Sequence, residues 1–154
     1  MKRYKIASIP GDGIGVEVIG AGLRVLDILA ERDGRFALDV TSFNWGSDRY
    51  KREGALMPAD GAEALRDFDA ILFGAVGAPD IPDHLTLWGL RLSICQPLGQ
   101  YANVRPTRIL PGIKSPLSGV TPKDLDWVIV RENSEGEYAG QGGRSHRGQP
   151  HEIA

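Results

Sequence analysis

Residues 70–76 restrict the fold of this chain more than any other stretch. They run Ala-Ile-Leu-Phe-Gly-Ala-Val and are apolar at successive positions, so both faces of a strand formed there should be covered. A strand of that kind is typical of the interior of a parallel sheet with helices on both faces. The stretch therefore predicts an α/β protein in which residues 70–76 form an internal strand.

The preceding residues alternate between strand and helix patterns. Short apolar runs predict strands over residues 4–9 and 37–43, and residues 60–67 are predicted to be helical. Helical periodicity also runs through residues 17–31, and the stripe predicted to face the sheet consists of Val18, Ala21, Val25, Leu26 and Leu29. Strands alternating with helices in this way indicate parallel pairing.

The later residues predict one more helix and two more strands. A helix is expected over residues 85–99, where Pro97 should end or kink it. Strands are expected at 102–109 and 127–131, joined by a connection rich in Pro and Gly. This change of pattern predicts a boundary between a first α/β domain, residues 1–101, and the start of a second domain, residues 102–154.

Composition excludes several classes of protein. The net charge is −2, and the basic residues are scattered and not gathered in a run, so neither nucleic acid nor another polyanion is an expected partner. No apolar stretch reaches the ~20 residues that a membrane span needs, and no signal-like segment begins the chain. We therefore expect a cytoplasmic protein. Cys95 is the only cysteine, which leaves no intrachain disulfide.

Two arginines and a tyrosine form the clearest chemical signal in the sequence. Arg105 and Arg131 end apolar stretches, and Tyr138 follows shortly afterwards. The planar guanidinium matches a carboxylate, so two of them suit a substrate with more than one carboxylate, and a phenol can donate a proton. The spacing equally allows the arginines to be internal ion-pair partners of neighbouring glutamates.

The turn at residues 11–15 contains three glycines between a strand and a helix. Its third glycine comes one position too early for the dinucleotide-binding fingerprint, and no acidic residue closes the second strand. A ligand role and a plain tight turn both remain open. Farther along, Arg91 and Cys95 stand four residues apart, a spacing that places both on one face of an α-helix. The carboxylates are dispersed, and no complete metal site is expected within the chain.

Five ordered motifs nevertheless resemble the N-terminal half of the metal-dependent β-decarboxylating dehydrogenases, a family that includes isocitrate, isopropylmalate, tartrate and D-malate dehydrogenases. The motifs occupy residues 9–18 (IPGDGIGVEV), 74–79 (GAVGAP), 87–90 (LWGL), 100–106 (QYANVRP) and 130–138 (VRENSEGEY). The resemblance covers essentially the whole chain, and the LWG and QYAN elements look closest to the tartrate and D-malate branch.

The resemblance implies a reaction and the residues that carry it. The reaction is NAD-dependent oxidation of a small 2-hydroxy di-acid, loss of the β-carboxylate as carbon dioxide, and protonation of the resulting enolate, with Mg or Mn polarising the oxygens. D-malate and tartrate are the expected substrates. Arg105 and Arg131 match substrate-carboxylate arginines, and Tyr138 matches the tyrosine that helps to protonate the enolate.

The resemblance also implies a fold and an assembly. The expected fold is the α/β/α sandwich of isopropylmalate dehydrogenase, which is not a Rossmann fold, and it is expected to be incomplete in this chain. Ile14, Ala75, Leu87 and Trp88 fall in the segments that lie near the cofactor in this family. The second domain forms a homodimer in family enzymes, and a partner subunit helps to complete each active site. The metal ligands and the catalytic lysine are expected outside this chain, which alone should be inactive.

One departure from the family pattern concerns substrate choice. Many members carry a third substrate arginine at the position of Cys95, whereas Arg91 falls where the family distinguishes substrates by their side group. We therefore expect Arg91 to replace the missing arginine and to favour a small polar di-acid. Gly99 stands where relatives often carry Asp. The alternatives are a 3-isopropylmalate dehydrogenase, whose alkyl substrate would meet Arg91, and a truncated or non-catalytic paralogue that binds a di-acid.

Overall fold

The computed structural model describes residues 1–154, which divide into two compact units, Met1–Leu98 and Gly99–Ala154. The first unit is built on a parallel sheet of three strands. These are β1 (Lys2–Gly11), β2 (Phe36–Ser42) and β3 (Ala70–Ala75), in the order β2-β1-β3. The predicted α/β architecture with parallel pairing is confirmed.

The position of the apolar strand differs from its prediction. β1 pairs on both sides, with β2 and with β3, and its residues Ala7 and Ile9 are completely buried. β3 pairs only with β1 and is only partly buried. The prediction that residues 70–76 form an internal strand was therefore wrong for this chain, because an apolar pattern reports that both faces are covered but not that both edges are paired.

Helices cover both faces of this sheet. Ala7 and Ile9 belong to a core on one face, which also contains Trp45, Leu56, Leu65, Leu90 and Ile94. Since successive strand residues point to opposite faces, Ser8 and Pro10 point to the other one, against which α1 (Ile14–Asp33) packs. The remaining helices of this unit are α2 (Ser47–Glu53), α3 (Gly61–Ala64) with a 3₁₀ turn at Leu65–Asp67, α4 (Asp83–Thr86), a π-helix at Leu87–Leu92 and α5 (Ser93–Cys95).

The face of α1 that meets the sheet is not the predicted one. Gly15 and Ile19 are its buried residues, whereas Val18, Val25 and Leu29 are exposed, as is Ala21, and only Leu26 of the predicted stripe is half-buried. α1 is apolar on two faces, so periodicity alone could not choose between them. Gly15 does so, because a Cβ there would stand 2.3 Å from the carbonyl oxygen of Pro10, and only glycine allows this approach.

The helix predicted over residues 85–99 exists but is composite. It begins as α4, widens into the π-helix and ends as α5 at Cys95, before Pro97, as the missing N–H of proline requires. None of the helices in the chain combines the length and the apolar character that crossing a bilayer demands. α2 was not anticipated from the sequence, because Ser47–Glu53 is polar at almost every position and has little apolar periodicity.

The second unit contains an antiparallel pair of strands, β4 (Ala102–Arg108) and β5 (Asp126–Glu132). Their bounds agree with the two predicted strands to within a residue or two. A 3₁₀ turn follows at Gly136–Tyr138, and Ser145 forms an isolated antiparallel bridge with Ile153. Both predicted arginines therefore lie on paired strands of one unit.

Candidate functional site

Arg105 and Arg131 lie on the same face of the β4–β5 ribbon. In the register, Asn103 is opposite Arg131 and Arg105 is opposite Ile129. Directly opposed residues of an antiparallel pair point to the same face, so Arg105 and Arg131 are diagonal neighbours with Cα atoms about 7–8 Å apart. The ribbon thus presents two arginine side chains on one face, with Cα atoms close enough for both side chains to reach one short di-acid.

The opposite face of the ribbon is mostly apolar. Its residues include Val104, Pro106, Val128 and Val130, with Arg108 opposite Asp126 at one end. Arg108 lies in the same strand as Arg105 but points to this other face, and its Nε stands 3.8 Å from Asp126 Oδ1. The ribbon is therefore two-sided, and the pair of arginines belongs to one side alone.

Local contacts orient each of the two arginines. Arg105 Nε donates a hydrogen bond to Asn103 Oδ1 at 2.9 Å, so the two terminal nitrogens form the edge that points away from Asn103. Arg131 Nη2 stands 3.6 Å from Glu137 Oε1. The alternative of internal ion pairs thus holds in part for Arg131, but the Glu137 side chain is 77% exposed, and an ion pair so open to water contributes little to stability.

Tyr138 lies beneath Arg131. The guanidinium carbon of Arg131 is 4.9 Å from the centre of the Tyr138 ring, and Tyr138 is 8% exposed. This cation–π contact joins the residue predicted to bind a carboxylate to the residue predicted to handle a proton. The structure therefore brings Arg105, Arg131 and Tyr138 together within one unit.

The turn that carries Tyr138 is held by the carboxylate of Glu132. Glu132 accepts hydrogen bonds from the backbone N–H of Ser134 at 2.8 Å, from Ser134 Oγ at 2.9 Å and from the backbone N–H of Glu135 at 2.8 Å. Partial desolvation raises the pKa of Glu132, but the hydrogen bonds from Ser134 and Glu135 outweigh it, and the pKa lies below its ordinary value. The ionised form is thus the one that holds the turn.

Asn133 is a site residue to which sequence reasoning gave no role. It is buried, and its Nδ2 donates a hydrogen bond to the carbonyl oxygen of Gln100 at 3.2 Å. This bond ties the end of β5 to the segment that enters β4. A polar residue placed directly after an apolar strand was the only signal in the sequence.

In the first unit, the glycine turn after β1 has two kinds of glycine. A Cβ on Gly11 would stand 2.1 Å from the carbonyl oxygen of Ala75, and one on Gly15 would stand 2.6 Å from the nitrogen of Ala75. These two positions therefore serve the close approach of protein backbone, as the tight-turn alternative requires. Gly13 differs, since its φ is 52° and a Cβ there would meet nothing within 4 Å.

Strand order places this turn where α/β sheets bind ligands. With the order β2-β1-β3, the connections from β1 and β3 diverge at the carboxyl ends of these two strands, and such switch points are the usual ligand crevices of open parallel sheets. Ile14 follows the first turn and is 62% exposed, and Ala75 ends β3. The structure thus brings two of the four predicted cofactor residues to one edge of the sheet.

Asp12 is a second residue that sequence reasoning missed. It lies in the turn after β1 and is 9% exposed. Its Oδ1 accepts the backbone N–H of Ser47 at 2.7 Å, and its Oδ2 accepts Ser47 Oγ at 2.7 Å and the backbone N–H of Gly77 at 2.8 Å. A lone Asp between glycines reads as an ordinary turn residue, because its partners are distant in sequence.

Leu87, Trp88 and Arg91 all lie in the π-helix. Short π segments inside helices are frequent at functional sites. Trp88 is 38% exposed and lines a cavity of about 440 Å³ with Tyr50 and Met57 among its neighbours. Arg91 and Cys95 are both half-buried, but the junction between the π-helix and α5 lies between them. Residues four apart share a face of an α-helix. The segment from Arg91 to Cys95 is partly π-helical, so that spacing does not by itself place the two side chains on one face.

The side chains that commonly bind metal ions are dispersed in this structure. Among residues 1–154, no three or more His, Cys, Asp or Glu side chains are grouped so that they could hold one. Mg²⁺ and Mn²⁺ prefer several oxygen ligands.

Comparisons with known proteins point to one family. Residues 5–154 match the isocitrate/isopropylmalate dehydrogenase family. A probable tartrate dehydrogenase/decarboxylase of Agrobacterium vitis is 67% identical over 153 residues, which cover 99% of this chain and 43% of the relative. D-malate dehydrogenase (decarboxylating) of Escherichia coli is 51% identical over 155 residues, with 99% of this chain and 43% of the relative covered.

The fold agrees with these relatives. The crystal structure of a β-decarboxylating dehydrogenase from Thermococcus kodakarensis in its apo form superposes with a TM-score of 0.61 at 35% sequence identity, covering 86% of this chain and 35% of that one. This chain thus spans less than half the length of the curated relatives that it matches.

Proposed function

This chain belongs to the isocitrate/isopropylmalate dehydrogenase family, and we propose that the complete protein catalyses NAD-dependent oxidative decarboxylation of D-malate or tartrate. The predicted isopropylmalate dehydrogenase-like fold is confirmed, as is the resemblance to the tartrate and D-malate branch. The observation that carries the proposal is the pair Arg105 and Arg131 on one face of the β4–β5 ribbon, with Tyr138 of the following turn against Arg131. This group matches a small di-acid and a proton transfer.

Arg105 and Arg131 bind the substrate carboxylates in this proposal. A guanidinium donates two parallel hydrogen bonds to a carboxylate, and this geometry fixes the direction of the acid as well as its position. Asn103 holds Arg105 by its Nε, so the terminal nitrogens form the donating edge. With both carboxylates fixed, the carbon that bears the hydroxyl takes one orientation, which an oxidation that removes hydride from one face requires.

Tyr138 supplies the proton that completes the reaction. Loss of the β-carboxylate of the 2-oxo di-acid as carbon dioxide leaves an enolate, and a phenol is a competent general acid for its carbon. Tyr138 is buried, and Arg131 stands over its ring, so the position of the phenol is restricted. The Glu132 carboxylate fixes the backbone at Ser134 and Glu135, just before the turn that carries Tyr138.

NAD and Mg or Mn are the cofactors that family membership suggests. NAD would accept the hydride, and a divalent ion would polarise the hydroxyl and carbonyl oxygens of the substrate. Ile14, Ala75, Leu87 and Trp88 are the residues proposed to contact NAD. Ile14 is exposed at the switch point between β1 and β3, and no atom lies within 4 Å of a Cβ built on the adjacent Gly13. The Ile14 side chain could therefore contact the face of a ring of NAD. The metal ligands are proposed to come from outside this chain.

Arg91 is proposed to select the substrate. A cation at the position where the family distinguishes side groups would favour the hydroxyl of tartrate or the small malate skeleton over an isopropyl group. 3-Isopropylmalate dehydrogenase is the second candidate: the matched family includes this activity by name, but its alkyl substrate would meet Arg91. A paralogue that binds a di-acid without chemistry is the third.

The complete protein is further proposed to be a cytoplasmic homodimer in which a partner subunit contributes to each active site, and the 154-residue chain alone is expected to be inactive. The test is NAD reduction by the complete protein with D-malate, tartrate, 3-isopropylmalate and isocitrate in the presence of Mn. Preferred turnover of D-malate or tartrate supports the proposal. Preference for 3-isopropylmalate would select the second candidate, and binding of a di-acid without NAD reduction would select the third.

A further inference from the structure

One carboxylate connects the loops that follow all three parallel strands. Asp12 belongs to the turn after β1, Ser47 lies beyond the end of β2 and Gly77 lies beyond the end of β3. The three hydrogen bonds accepted by the Asp12 carboxylate come from the latter two residues. The packing around it is tight, because a Cβ on Gly46 would stand 2.6 Å from Asp12 Oδ1.

The connection to the loop after β3 is double. The backbone N–H of Asp12 donates to the carbonyl oxygen of Ala75 at 2.7 Å, and the backbone N–H of Gly77 donates to Asp12 Oδ2 at 2.8 Å. Residues 75–77 are therefore bound at both ends by one residue. Gly77 has a φ of 134°, a conformation that favours glycine, at the point where the carboxylate holds the chain.

The geometry points to Asp12 as a positioning residue for cofactor binding. Its carboxylate fixes the turn that presents Ile14 relative to the segment that begins at Ala75, and it does so from a buried position beneath both. This inference rests on the proposed function, since it takes the edge between β1 and β3 as the place where NAD binds. Asp12 itself need not touch the cofactor.

Three donors converge on the two oxygens of the Asp12 carboxylate. Asparagine has nearly the same shape but presents an amide nitrogen in place of one oxygen, so at least one N–H or O–H would face another donor. The side-chain bond to Gly77 would be weakened or lost in Asp12→Asn. The backbone bond from Asp12 to Ala75 would remain, so the loop would be loosened at one end and not released.

The test compares NADH binding by the complete protein and its variants, measured by the change in nucleotide fluorescence. For Asp12→Asn, the Kd for NADH and the KM for NAD should rise by about 10- to 100-fold, as expected when charge-assisted hydrogen bonds that orient a binding element are lost. The KM for the hydroxy acid should stay within about threefold. Ser47→Ala is the matched control, because it removes one bond to the same carboxylate and leaves the bond to Gly77.

Two further measurements separate positioning from general instability. Hydrogen exchange at the Gly77 amide should accelerate in Asp12→Asn and not in Ser47→Ala. Leu65→Ala removes a side chain that is 2% exposed in the core and should lower Tm without changing the Kd for NADH. If Asp12→Asn does not fold, the shorter Asp12→Ser carries the same expectations.

Each outcome decides a separate question. Weaker NADH binding in the Asp12 variant, with unchanged binding in the Ser47 and Leu65 variants, supports the positioning role. Equal NADH affinity in wild type and the Asp12 variant overturns it and leaves the proposed function standing. Equal weakening in the Leu65 variant also overturns it, because global stability would then explain the effect. Failure of the wild-type protein to bind NADH would remove the proposed function and this inference together.

Discussion

The guanidinium carbon of Arg131 stands 4.9 Å from the centre of the Tyr138 ring. A cation over an aromatic face is stabilised by about 0.5–2 kcal/mol, with the larger values where water is excluded. Because Tyr138 is buried, each of the two side chains limits the positions that the other can adopt. Two substitutions at Tyr138 are therefore needed, one that removes the hydroxyl and one that also removes the ring.

Tyr138→Phe keeps the ring beneath Arg131 and removes only the hydroxyl, which is the proposed proton donor. We expect kcat for D-malate and tartrate to fall by about 100-fold or more, since general acid catalysis contributes a factor of that order. The KM for the acid should change little, because Arg131 keeps its orientation. Steady-state NAD reduction by the complete protein measures both constants.

Tyr138→Leu is the matched variant that also removes the aromatic face. It should lower kcat and in addition raise the KM for the acid, because Arg131 loses its support. Equal kcat in wild type and Tyr138→Phe would show that the hydroxyl carries no proton in the limiting step and would rule out the proposed role.

Arg105→Lys and Arg131→Lys test whether these residues bind the two substrate carboxylates, and both substitutions preserve the charge. A lysine ammonium cannot form the paired hydrogen bonds of a guanidinium, so we expect the KM for the acid to rise by about 10- to 100-fold, with the KM for NAD unchanged. Arg108→Lys is the control, because it lies in the same strand on the opposite face. Comparable effects at Arg108 and Arg105 would contradict the assignment of one face to substrate.

The placement of these arginines was predictable because it depends on local pattern. Each lies in a segment predicted to be a strand, Arg105 at the middle of β4 and Arg131 next to the last residue of β5. Strands that follow one another are often paired. The sequence could not specify the register, yet a one-residue slip would have put Arg105 and Arg131 on opposite faces. Only the structure shows that Asn103, and not Arg105, lies opposite Arg131.

Helix α1 shows the converse case. Its extent could be predicted from periodicity, but its buried face could not, because two apolar stripes compete. The choice is made by glycine contacts with residues remote in sequence, such as Gly15 with the backbone of Ala75. Asp12 escaped notice for the same reason, since its partners Ser47 and Gly77 are 35 and 65 residues away.

Two glycines of α1 give a stability test of that account. Gly15→Ala forces a Cβ against backbone atoms of Pro10 and Ala75 and should lower the free energy of unfolding by roughly 1–3 kcal/mol. Gly20 lies in the same helix with nothing within 4 Å of its Cβ position, and Gly20→Ala should raise stability by about 0.5–1 kcal/mol. Urea unfolding of the complete protein measures both, and a stable Gly15→Ala protein would contradict the close packing.

Arg91→Ala tests substrate selection. We expect the KM for malate and tartrate to rise about tenfold, as for the loss of one charged hydrogen bond, and the preference to shift towards 3-isopropylmalate. Cys95→Ala alters a half-buried neighbour on α5 without changing charge and should leave the preference unchanged. Unchanged kinetics of Arg91→Ala on malate and tartrate would remove Arg91 from the site.

The π-helix that carries Arg91 could not be predicted from the sequence, because one widened turn leaves no mark in apolar periodicity.

The turn that carries Tyr138 should loosen in acid, because Glu132 holds it in ionised form. The pKa of Glu132 in the folded protein lies below its ordinary value of 4.5, so its contribution is complete above that unfolded value and is lost as pH falls through the lower folded pKa. The amide resonances of Ser134 and Glu135 should therefore titrate together below pH 4.5, as NMR of the complete protein would show.

Glu132→Gln should shift those amide resonances at neutral pH and abolish their titration, since a neutral amide is a weaker acceptor for three converging donors. It should also lower kcat, because the backbone ahead of Tyr138 is no longer fixed. Glu135→Gln is the matched control, because the Glu132 carboxylate accepts only the backbone N–H of Glu135, which the substitution leaves in place. Retained titration in the Glu132 variant would assign the acid transition to another carboxylate and contradict this account of the turn.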